Sequence, residues 1–117
     1  MTPHEINEQV ALRLGWKEIH YPDENPKHGY LVGQPGPPPY YKFPEKVPNW
    51  AEDDGLAFKE LWLRIDEMCE GDVEIRRCAS DDPAVTVLYP KIKLFTDSTW
   101  ALAICKAFIE LVPLSAE

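Results

Sequence analysis

Eight of the chain's 12 prolines fall between Pro22 and Pro48, with Gly29, Gly33 and Gly36 among them. Each proline removes a backbone donor and fixes φ, which bars it from helix interiors and central strands. Only Trp16-Lys17-Glu18-Ile19 and Tyr30-Leu31-Val32 read as extended there. Residues 20–50 are therefore expected to form a long ordered loop with one or two edge strands. A loop of that length in a small domain is unusual and commonly functional.

Regular elements flank this loop. Thr2, Pro3 and Glu5 make a capping box with proline at the first helical position, and Ile6, Val10 and Leu14 share one face. The spacing predicts a helix over 3–14, stopped by Gly15. A second helix is expected over 54–70, from the stripe Ala57, Phe58, Leu61, Trp62, Ile65, Met68 and Cys69. Asp53 is its preferred N-cap, because Gly55 then lies in the first turn; Asn49 with Glu52 is a competing capping box. Gly71 ends it. Val73–Cys78 and Ala84–Tyr89 predict a hairpin across Ser80-Asp81-Asp82-Pro83, and Ile92–Phe95 can continue the sheet past Pro90. The last helix is expected over 98–112, capped by Thr96 or Asp97 and stopped by Pro113. It is apolar on most sides, which suits a core centre or an interface. Layer packing of these elements implies an α+β fold, an α/β/α sandwich of three helices and one small, mostly antiparallel sheet.

At 117 residues the whole chain, 1–117, is expected to be a single domain. Twenty acids against 12 Lys and Arg leave a net charge of −8, which argues against direct nucleic-acid binding. No apolar run reaches the roughly 20 residues of a membrane span, and the N-terminus lacks the pattern of a signal peptide. Three cysteines without close spacing imply neither a disulfide framework nor a zinc knuckle. A cytoplasmic location is the expectation.

Sequence motifs for chemistry are sparse. There is no phosphate-binding glycine loop, nucleophile elbow or His-Glu-x-x-His, so no catalytic residue and no cofactor is assigned. His20, Asp23, Glu24 and His28 carry metal-ligating groups, but their spacing fixes no two on one face; the plainer reading is a polar surface loop and no metal is assigned. His4 reads as an ordinary first-turn residue. Cys69 and Cys105 read as buried small hydrophobes, whereas Cys78, beside Arg76 and Arg77, is the best candidate for a reactive thiol. Glu52, Asp53, Asp54, Glu60, Asp66, Glu67, Glu70 and Asp72 cluster around the second helix. They read either as a DNA-mimicking surface or, more plainly, as a solvated face with dipole-favoured caps. Pro37-Pro38-Pro39-Tyr40 matches a WW-domain ligand. Aromatics around the loop, with Trp16, Tyr30 and Trp50 near its ends and Tyr40, Tyr41 and Phe43 within it, either pack on the sheet or line a pocket suited to a stacked nucleobase. Tyr30, Tyr40, Tyr41 and Trp50 are the candidate ligand- or partner-binding residues.

Three stretches together resemble the phage ABA sandwich domain family, small proteins of tailed phages and prophages. They are Met1–Asn7 running to Leu14-Gly15-Trp16, Pro48-Asn49-Trp50 before an acidic helix start, and Ala101–Ala107. They cover about half the chain. The resemblance implies a helix–sheet–helix layered fold and a phage or prophage setting, in which readers of the proline motif are not expected. It brings no catalytic residues. Gln34–Tyr41 is richer in proline than that family's pattern, and Asn49-Trp50 stands where Asp-Tyr is usual. The expected function is that of a non-enzymatic accessory protein acting by binding to a host or phage protein or a small ligand, with a homodimer through the last helix as one assembly. The alternatives are a protein sequestering a small nucleotide signal of host defence, and an acidic DNA-mimic inhibitor.

Overall fold

The structure, a computed structural model, describes residues 2–21, 31–36, 43–77, 81–88 and 92–114. Helix α1 spans Pro3–Arg13. The capping box forms as expected: Glu5 N–H donates to Thr2 Oγ1 at 3.2 Å, and Gly15 follows at φ 91°. Strands β1 (Lys17–His20), β2 (Val32–Gln34) and β3 (Glu45–Lys46) come next. They pair antiparallel in the order β1-β2-β3, so the proline-rich stretch holds a three-stranded sheet with an interior strand, not merely edge strands. The prolines do not oppose this, because they flank the strands: Pro35 follows β2, Pro44 precedes β3 and Pro48 lies beyond it. The register between β1 and β2 shifts within Lys17–His20, where Glu18 takes a left-handed φ of 54°.

Helix α2 runs through Asp54–Ala57 and Leu63–Met68, with a π-helical stretch, Phe58–Trp62, between them. Asp53 is its N-cap, accepting from Leu56 N–H at 3.0 Å. Gly71 closes it, donating to Asp66 C=O at 3.1 Å from a φ of 83°. Strands β4 (Val73–Arg77), β5 (Pro83–Val87) and β6 (Lys93–Thr96) form a second antiparallel sheet with β5 central. The α+β class with three helices and antiparallel strands holds, but the strands divide into two sheets where one was expected.

Helix α3 spans Trp100–Leu111. Its cap is Thr99, accepting from Leu102 N–H at 3.1 Å, and neither Thr96 nor Asp97. Thr96 belongs to β6, and Asp97 accepts from Ser98 N–H instead. Four successive cap-forming residues, Thr96 to Thr99, leave the start ambiguous until the strand claims the first. A carboxylate from α2 also serves this helix: Ala101 N–H donates to Asp54 Oδ1 at 2.9 Å. At its other end Arg13 Nε donates to Ile109 C=O at 2.9 Å, satisfying a terminal carbonyl at the negative end of the dipole. Helix α3 packs against β5, β6, α1 and α2, and its Ala101, Ala103, Ile104, Cys105, Ala107 and Phe108 are buried. Its apolar breadth is thus consumed at the centre of the core.

One buried polar side chain joins α1 to the segment before α2. Asn7 donates from Nδ2 to Asn49 Oδ1 and accepts from Ala51 N–H, both at 2.9 Å. This occupies Asn49 away from any capping role. Asn7→Ala leaves the buried Ala51 N–H without a partner and is expected to cost about 2 kcal/mol. Asn49→Ala, at an exposed position, is expected to cost less than half of that. Urea unfolding of the pair gives the comparison, and equal losses would contradict the assignment of Asn7 as the anchor.

Candidate functional site

A hollow on the described surface lies between α2 and the start of the first sheet. It is a groove of about 570 Å³ lined by Leu14, Trp16, Pro35, Gly36, Pro48, Trp50, Lys59, Glu60, Leu63, Arg64 and Glu67. A second hollow of about 350 Å³ shares Leu14, Arg64 and Glu67 and extends the groove toward Met68 and Phe108.

Local sequence explains each wall. The turn ending α1 delivers Trp16, whose N–H donates to Ala11 C=O at 3.0 Å. Trp50, only 1% exposed, meets Trp16 edge to face at 6.5 Å between ring centroids, and its Nε1–H donates to Glu60 Oε1 at 3.1 Å. The opposite wall is α2, where Lys59 and Glu60 lie in the π-helical stretch and Leu63, Arg64 and Glu67 follow it. An inserted π turn shifts the residues that follow around the helix, and such turns recur at functional sites. No sequence signal announces it, because the apolar stripe reads as continuous α-helix.

The groove offers chemistry of both kinds. Leu63 and Met68 are exposed apolar side chains on α2. Lys59 and Arg64 have no hydrogen-bond or ion-pair partner among the described residues, whereas Glu60 is engaged by Trp50. Glu67 lines the groove as well and has no hydrogen-bond or ion-pair partner among the described residues, so two carboxylates accompany the two cations beside the apolar side chains.

Of the sequence-derived candidates, Trp50 lies at this groove, but its ring is enclosed and offers no open face for stacking. Tyr30, Tyr40 and Tyr41 lie outside the described residues, as do Asp23, Glu24, His28 and Cys78. His20 is exposed, with Nδ1 2.8 Å from Glu18 C=O. Among the described residues no group of three His, Cys, Asp or Glu could hold a metal ion. Burial pushes the Cys105 thiol up to about 12, and burial followed by Asp66 and Asp72 raises Cys69, so both are poor nucleophiles. Of the acids around α2, Asp53 caps its own helix, Asp54 caps α3 and Glu60 holds Trp50. Lys59, Leu63 and Arg64 were missed because a solvated helix face carries no motif.

Among the described residues no helix is long and apolar enough to cross a membrane. Comparison with protein-family models, curated proteins and solved structures finds no match for this chain.

Proposed function

We propose that this chain is a non-enzymatic accessory protein of a phage or prophage that acts by binding, and that the groove along α2 is its binding site. The phage setting rests on the sequence resemblance alone. The observation that supports the site is the pair Lys59 and Arg64, cations without partners among the described residues, beside exposed Leu63 on a hollow walled by Trp16 and Trp50. The same cations favour one second reading, capture of a small nucleotide, whose phosphates they would face. They do not favour nucleic-acid mimicry, and three of the acids that suggested it serve the fold.

Thermal denaturation with a panel of mononucleotides and cyclic dinucleotides tests the nucleotide reading. A ligand at a hundredfold excess over its Kd adds about 2.7 kcal/mol, a rise of about 10 °C for a domain of this size. Arg64→Glu, at an exposed position, is expected to abolish the rise and leave the unliganded Tm within about 2 °C. A panel without effect removes the nucleotide reading. Native mass spectrometry of gently recovered protein then tests binding itself. A retained mass lost in Arg64→Glu supports the groove, and one kept in both Arg64→Glu and Leu63→Asp overturns it.

A further inference from the structure

We propose that the π turn of α2 makes Lys59 and Arg64 a single cationic pair, so that one group of a ligand in the groove meets both side chains. This rests on the groove being the binding site. Lys59 and Arg64 are five residues apart in the sequence, and on an uninterrupted α-helix such residues project about 140° from each other. Here Lys59 lies inside the π stretch Phe58–Trp62 and Arg64 just beyond it. A π turn takes in about one residue more than an α turn, which removes about 100° of that separation and leaves about 40°. The two therefore stand as residues four apart do on an ordinary helix, as neighbours on one face. Both line the same hollow.

The core holds the wide turn in place. Ala57, Leu61 and Ile65 are each fully buried at a spacing of four. A uniform α-helix would carry Ile65 about 80° round from Ala57, and one extra residue brings it back to within about 20°. Two residues of the stretch are also fixed from outside the helix. Phe58 tilts against Trp100 at 6.1 Å between ring centroids, and Glu60 accepts from Trp50. Packing sets the register, and the alignment of the two exposed cations follows from it.

Stability does not account for that alignment, because like charges at neighbouring helix positions are destabilising. Carboxylates are close in sequence without compensating the pair. Glu60 adjoins Lys59 but accepts from Trp50, and Glu67, three residues beyond Arg64, forms no ion pair among the described residues. Two cations side by side take one oxyanion between them. Glu67 on the same wall repels that group and confines it to the Lys59 side of Arg64.

A chelated metal ion reads the pairing directly. Two histidines hold one Zn²⁺ when they stand four apart on one face of an α-helix, and at five apart on such a helix they diverge too far. Lys59→His combined with Arg64→His is therefore expected to bind Zn²⁺ in the full chain. At ten times the Kd the metal should raise Tm by about 5 °C, with no rise in either single variant beyond that of the wild type. Lys59→His combined with Leu63→His, the pair that a uniform α-helix favours, is expected to gain less. All three positions are exposed, so the fold tolerates the changes. No rise in the Lys59→His/Arg64→His variant beyond the single variants, or a larger rise in the Lys59→His/Leu63→His variant, overturns the proposal. Chelation in a protein whose wild type retains no mass overturns the groove reading alone. A retained mass without chelation overturns the pairing alone.

Discussion

Trp50→Ala is expected to lower stability by about 4 kcal/mol, the largest loss foreseen for any single side chain here. The indole is the largest fully buried side chain among the described residues. It contacts Trp16 edge to face and donates to Glu60, so truncation removes apolar burial, an aromatic pair and a hydrogen bond together. A hole of indole size collapses only partly, because Trp16 is fixed by the turn after α1 and Leu61 by α2. Against a total of about 5–15 kcal/mol this is a large fraction, equivalent to roughly 15 °C in Tm. Trp50→Phe retains most of the burial and is expected to cost about 2 kcal/mol. Chemical denaturation of both variants decides the matter, and an alanine loss no greater than the phenylalanine loss would show that the ring is not a core element.

The elements whose start and stop signals are local were legible in the sequence. Thr2, Pro3, Glu5 and Gly15 bound α1 through its own capping groups, and Asp53 and Gly71 do the same for α2. The failures share a different cause. Val32–Gln34 is interior because its neighbours come from 17–20 and 45–46, and no window of sequence contains both. Asn7 is buried by a partner more than 40 residues away, whereas its helical neighbours gave only an amphipathic pattern. The π stretch in α2 leaves the apolar stripe intact, so the face bearing Lys59 and Arg64 had no signature. The aromatic residues of the proline segment drew attention by composition. Of the four chosen, Trp50 is the one that falls among described residues, and its role there is packing. Composition indicates which groups are available for binding; long-range pairing decides which of them face a hollow.

Gly36→Ala is expected to cost about 3 kcal/mol, although it adds a single methyl group near the surface. A Cβ at Gly36 would overlap the carbonyl oxygen and carbonyl carbon of Gly15. Those are backbone atoms of the turn that closes α1, and that turn is held on both sides. Gly15 sits at φ 91°, and the Trp16 and Gly15 N–H groups bond Ala11 and Leu12. Neither segment can yield by a rotamer change, so the added methyl must part the two chains. Gly55→Ala supplies the control. Its Cβ would meet only a side-chain oxygen of Asp53, at 3.5 Å, inside the first turn of α2. Alanine there restricts the unfolded chain and is expected to stabilise by about 0.5 kcal/mol. Opposite signs for the same chemical change would locate the constraint in the approach of two backbones. Equal Tm values for the two variants would dismiss it. Gly36 also lines the groove, so the contact that excludes a side chain at this position holds one wall of the proposed site against the end of α1. Arg64→Glu acts on the opposite wall without touching that contact, and the two substitutions therefore separate loss of the groove's shape from loss of its charge.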